Sequence, residues 1–140
     1  MSKSDALENS ILLLLFNGTA IADLAENEVA SPSANIEVAL HTGDPGEAGT
    51  QLTSEATYGG YARVAVARTG GGWTVTGNSV SPAAAITFAE ASSGSETITH
   101  FSVGVDVGDV IMYSGTVTPN IVVTTGVIPE LTTASTITED

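Results

Sequence analysis

From Ile36 to the C-terminus, apolar and polar residues alternate in short runs, and most runs end in a cluster of turn-forming residues. Ile36, Val38 and Leu40 alternate with Glu37, Ala39 and His41, the period of a half-buried strand. That run ends in Gly43-Asp44-Pro45-Gly46, a turn cluster. Ala62, Val64 and Val66 then face away from Tyr61, Arg63 and Ala65. Gly70-Gly71-Gly72 precedes a strand over Trp73–Thr76, and Gly77-Asn78 closes it. Further strands are expected over Ala84–Phe88, Glu96–Val105, Val110–Val117, Asn120–Thr125, Val127–Leu131 and Ser135–Thr138. Phe101, Val103 and Val105 share one face, opposite Ile98 and His100. Eight or nine short strands at this spacing predict a mainly β fold, a β-sandwich or jelly-roll domain.

The N-terminus follows another period. Leu7, Ile11, Leu14 and Leu15 recur at the offsets of one helical face, and Leu12, Leu13 and Phe16 widen it. Asp5 and Glu8 have the spacing of a capping box, and Gly18 stands where a left-handed helix stop falls. A helix this apolar is buried either in its own domain or against a neighbour. Ala20–Asn35 is weakly helical and broken by Ser31-Pro32-Ser33. The organisation expected is a helical or extended arm over 1–35, followed by a β-sandwich over 36–140. Between Asp44 and Gly60 the chain is polar and glycine-rich, a long surface loop of the kind that contacts something.

Charge narrows the partners. Three basic residues (Lys3, Arg63, Arg68) stand against sixteen acidic ones, for a net charge of −13. Nucleic acid requires a basic patch, so neither it nor an anionic membrane is an expected partner. The Ile11–Phe16 run is too short to span a bilayer, and acidic Asp5 and Glu8 in front of it resist a signal-peptide reading. The chain is therefore expected to be cytoplasmic when made. The absence of cysteine removes disulfides, thiol nucleophiles and thiolate metal sites.

Little in the sequence points to chemistry. His41 and Asp44 have a spacing that could orient a base or hold a metal, but Asp44-Pro45-Gly46 reads as a turn capped by its own aspartate. His100 reads as a strand residue. Asp106 and Asp109 offer too few oxygen ligands for a calcium cage. The triple glycine lacks the Lys-Ser/Thr of a phosphate loop. Tyr58, Tyr61 and Trp73 read as lids over a small core rather than as a ligand platform. No serine sits in a nucleophile elbow. The expectation is a non-enzyme without cofactor or metal.

A series of short segments carries a resemblance. They are Ser4-Asp5-Ala6-Leu7-Glu8-Asn9, Asn17-Gly18-Thr19-Ala20, and the run from Val38 through His41-Thr42-Gly43-Asp44-Pro45-Gly46 to Thr50. Gly59-Gly60-Tyr61-Ala62-Arg63, Ala85-Ile86-Thr87-Phe88, Ile98-Thr99-His100-Phe101 and Tyr113-Ser114-Gly115 follow in order. Together they resemble a group of small tailed-phage virion proteins labelled as tail-fibre proteins, some of them similar to capsid decoration (cement) proteins. The resemblance implies a structural virion component with an N-terminal helix and a β domain, and no catalytic motif.

Between the two placements, the sequence has neither the repeats nor the stalk of a fibre. A capsid decoration protein on the shell exterior, binding the major capsid protein as a homo-oligomer (dimer or trimer), is the expectation. A tail-tip or tail-fibre adhesin is the alternative, and a small hydrolase a distant third. The residues expected at subunit contacts are Leu7, Ile11, Leu14, Leu15, Phe16, Asp44, Tyr58 and Tyr61.

Overall fold

A computed structural model describes residues 3–21, 33–105 and 109–139. Most of the weakly helical stretch expected over Ala20–Asn35, and Asp106 of the Asp106 and Asp109 pair, lie outside them. The fold is mainly β, with one N-terminal helix followed by antiparallel sheets, as a β-sandwich requires. The chain forms two compact units, and the first boundary between them along the chain falls between Ala34 and Asn35. One comprises Met1–Ala34, Ala67–Ala85 and Leu131–Asp140; the other comprises Asn35–Val66 and Ile86–Glu130.

In the first unit, helix α1 (Asp5–Asn17) packs on the hairpin of β3 (Trp73–Thr76) and β4 (Ser79–Pro82). Strand β9 (Ile137–Thr138) extends that sheet by pairing with β4. The helix cap is Ser4, one residue before the aspartate expected there, and its hydroxyl accepts from Leu7 N at 3.4 Å. Ser4 takes the position because its extended backbone (φ −84, ψ 149) also aims its carbonyl at the first-turn amides. Gly18 ends the helix in the left-handed conformation, as its position predicts. No basic residue lies in the last turn. Arg68 supplies the missing cation from outside the helix, donating to the carbonyls of Leu14 and Leu15 at 2.6 Å each.

Leu12 and Phe16 are fully buried, and the Phe16 ring meets Trp73 edge-on at 5.0 Å. The helix therefore contributes to the core of its own unit. The β4 strand fell between the sequence expectations because Val80 alone, flanked by two serines, makes no visible alternation.

The second unit holds a four-stranded sheet in the order β2-β1-β6-β7. Its strands are β1 (Asn35–His41), β2 (Val64–Ala67), β6 (Ser95–Val105) and β7 (Ile111–Thr124). Short strands β5 (Ile86–Thr87) and β8 (Glu130–Leu131) pair separately. Strand β7 spans both expected strands, and its ladder to β6 is interrupted where the break at Thr118-Pro119 was expected: the partners shift from Ile98–Ile121 to His100–Thr116, and β6 is long enough to pair with both halves. Ile36, Val38 and Leu40 stand opposite Val105, Val103 and Phe101 on one face of the sheet.

Strand β1 is not half-buried: Val38 to His41 are buried on both faces. The long loop after it causes this. The loop runs over the surface but returns along β1, with Thr42 N donating to Ser54 O and Ala56 N to Leu40 O, both at 2.8 Å. Gln51, Ala56 and Tyr58 are buried as a result.

Candidate functional site

The returning loop closes a polar network over the second face of the sheet. His41, Gln51 and Ser102 are each fully buried. The Thr53 carbonyl lies 2.9 Å from His41 Nδ1, and a carbonyl only accepts. Nδ1 therefore carries the ring proton, and Nε2 accepts from the Ser102 hydroxyl at 2.8 Å. Gln51 Nε2 donates to the Glu37 carbonyl at 3.0 Å and to Ser102 Oγ at 3.4 Å. Burial holds the His41 pKa below its ordinary value, because the charged ring would lose its water; the Thr53 carbonyl opposes that shift.

Arg63 anchors the other end. Its Nε and Nη2 grip the two oxygens of Glu55 at 2.7 and 2.8 Å, a bidentate pair. Nη1 donates to Asp109 at 2.6 Å and to Gln51 Oε1 at 3.3 Å. The Glu55 contact, aided by Asp109, raises the Arg63 pKa against the desolvation that lowers it. Tyr61 donates to Glu55 at 3.0 Å and accepts from Leu40 N at 3.0 Å, and burial pushes its hydroxyl pKa far up. Asp109 adopts a left-handed φ of 56° while its carbonyl accepts from Gln51 N at 2.9 Å. The network thus ties the loop, β1, β6 and the start of β7 together.

A serine and a histidine at 2.8 Å have the geometry of an activated nucleophile. Here the hydroxyl is closed off from solvent, and a backbone carbonyl stands where a carboxylate would orient the ring. The pair is placed to hold the sheet face.

This unit also carries a separate, open groove of about 250 Å³ lined by Asp44, Glu47, His100, Ser114, Gly115 and Thr116. His100 and Thr116 are cross-strand neighbours on β6 and β7. Asp44 accepts from Gly46 N at 2.8 Å, the self-capped turn its sequence predicts. His41 and Asp44 therefore serve different structures. Among the described residues no group of three or more His, Cys, Asp or Glu is placed to hold a metal ion.

The residues singled out from sequence divide. Phe16 and Tyr58 are buried, Ile11, Leu14, Leu15 and Tyr61 are half-buried, and Leu7 and Asp44 are exposed. Tyr58 and Tyr61 meet edge to face at 5.3 Å, and Tyr61 stacks on Phe88 at 6.3 Å. Tyr58 donates to the Ala89 carbonyl at 3.1 Å, as a lid over this core would. Trp73 belongs to the Phe16 contact instead. Gln51, Glu55, Arg63 and Ser102 escaped the sequence reading. One signal was available: with only three cations in the chain, a lone Arg63 between apolar residues needs a carboxylate partner.

The described residues define a β protein with an N-terminal helix and a closed, buried polar network. The sequence matches the family described as podophage GP4 fiber I protein gp80 over residues 2–138, and the chain belongs to that family. It is thereby a phage virion structural protein of fibre type. No curated protein matches the chain. Among the described residues no helix is long and apolar enough to cross a membrane.

Proposed function

We propose that this chain is a non-catalytic part of a virion fibre, working through protein–protein contact. The family match over nearly the whole chain is the observation that carries this reading. The closed Ser102–His41 pair supports its non-catalytic side, since a nucleophile with no exposed surface reaches no substrate. On α1, Leu12 and Phe16 are committed to the core. Leu7, with half-buried Ile11, Leu14 and Leu15, is the flank left to touch a neighbouring subunit.

Capsid decoration, with the protein bound to the major capsid protein on the shell exterior, is the second reading. It is favoured by short elements: among the described residues the one helix has 13 residues and no stalk is formed. Copy number in purified virions separates the two. A few copies for every hundred of the major capsid protein, with host attachment lost when the protein is absent, supports the fibre. A ratio near one, with particles that burst sooner under osmotic shock when the protein is absent, supports decoration.

A further inference from the structure

Strand β7 is the edge of the four-stranded sheet. Strand β6 pairs along one side of it from Gly104–Ile111 to Ser95–Thr124, and no described strand pairs along the other. Proteins usually blunt such an edge with short length, charged side chains or prolines. β7 is 14 residues long, and in a chain of net charge −13 it carries no charged side chain. Pro119 removes a single N–H, and the register shift beside it, between the Ile98–Ile121 and His100–Thr116 pairs, interrupts the edge there.

Beyond Pro119 the edge reads Asn120-Ile121-Val122-Val123-Thr124. This half projects past β1, whose register on β6 stops at His41–His100. Ile98 and Val123 are fully buried on one face of the projecting ribbon. On the other face Val122, 63% exposed, stands opposite exposed Thr97.

We infer that the outer edge of β7, through Asn120–Thr124, pairs antiparallel with the same edge of a second copy of this chain. Two strongly acidic copies approach at low electrostatic cost only where no carboxylate faces another, and this neutral strand is such a place. A twofold axis brings identical edges together, and backbone pairing asks for no complementary side chains. The result is one continuous sheet across two copies, with the Val122 side chains gathered near the axis. The inference holds for a fibre part and for a decoration protein alike.

Sedimentation equilibrium and hydrogen exchange on the full chain test it. The expected result is a dimer whose residue 120–124 amides gain protection as concentration rises. Val122→Glu places like charges beside the axis and weakens the dimer by about tenfold or more, with an unchanged circular dichroism spectrum. Leu52→Glu is the control: Leu52 is also 63% exposed but lies on the loop, and the dimer persists. A chain that stays monomeric at every concentration overturns the inference. So does an oligomer that survives Val122→Glu, one weakened equally by both variants, or one whose β7 amides exchange as in the monomer.

Discussion

His41 Nε2 accepts the Ser102 hydroxyl proton at 2.8 Å with neither side chain open to solvent, so the sheet face holds a histidine only in its neutral form. Protonating the ring turns Nε2 into a donor, so the Ser102 hydroxyl must rotate and accept from it as well as from Gln51. The pKa is lowered chiefly because burial denies the charged ring its water.

The first prediction follows from the sign of that shift. The unfolded chain protonates His41 near 6.5 and the folded chain does so only at lower pH. Below 6.5 the unfolded state therefore binds more protons, and stability falls with pH until the folded value is passed. Above 6.5 this contribution is complete and flat. His41→Gln keeps a donor for Thr53 and an acceptor for Ser102 but cannot titrate. Its urea midpoint should decline less than that of the wild type between about pH 7.5 and 5. Equal declines in the two proteins would mean that His41 is not the group responsible.

Arg63 joins the returning loop, through Gln51 and Glu55, to Asp109 far along the chain, so its loss should be felt across the second unit. The Glu55 side chain is 13% exposed and would keep a charge with no counter-ion beside it, held only by the Tyr61 hydroxyl. Arg63→Met should cost about 2–4 kcal/mol, less than a fully buried pair because Arg63 itself is 21% exposed. Arg63→Lys should recover little, because one ammonium cannot reach both oxygens of Glu55 and also Asp109. Chemical denaturation of the three proteins decides this, and full rescue by lysine would show that point charge alone suffices.

Alternation made the strands of the second unit legible, and the Gly18 stop made the end of α1 so. What stayed hidden depends on contacts far apart in sequence. Arg68 and the carbonyl of Leu15 are joined although they lie 53 residues apart in the chain. Gln51 sits in a polar, glycine-rich stretch whose composition says surface, and it is buried because Glu37, Ser102 and Arg63 satisfy its amide. Glu96 is likewise legible only as a strand residue, although its carboxylate accepts the backbone amides of Thr57 and Tyr58. Local pattern carries periodicity and turns; it does not carry which polar side chain finds its partner across the sheet.

Within the helix, burial separates two leucines that the sequence treats alike. Leu12 is fully buried, and Leu12→Ala should destabilise the protein by about 2–5 kcal/mol. Leu7 is 36% exposed, and Leu7→Ala should change stability by about 0.5 kcal/mol or less. Thermal unfolding of both variants checks the ranking. A large loss at Leu7 with none at Leu12 would mean that the helix turns its other flank to the core.

Gly104 stands where the β6–β7 hairpin closes on the polar network. A Cβ there would collide with the Val110 carbonyl and lie 2.9 Å from Gln51 Cδ. The carbonyl belongs to the backbone and cannot swing aside, and Gln51 is held by Glu37 and Arg63. Gly104→Ala must therefore push the start of β7 away or eject Gln51, breaking its hydrogen bonds. We expect a cost of about 2–4 kcal/mol, in the range of an overpacked site that also leaves a buried polar group unpaired. Gly70 is the matched control, since an added Cβ there meets nothing within 4 Å. Gly70→Ala should fall within about 1 kcal/mol of the wild type, with stabilisation the more natural sign because the unfolded chain loses freedom. Denaturant midpoints for the two variants provide the comparison. If Gly104→Ala were as stable as Gly70→Ala, the close approach of β6 to the Val110 carbonyl, and the role of Gln51 in locking it, would have to be abandoned.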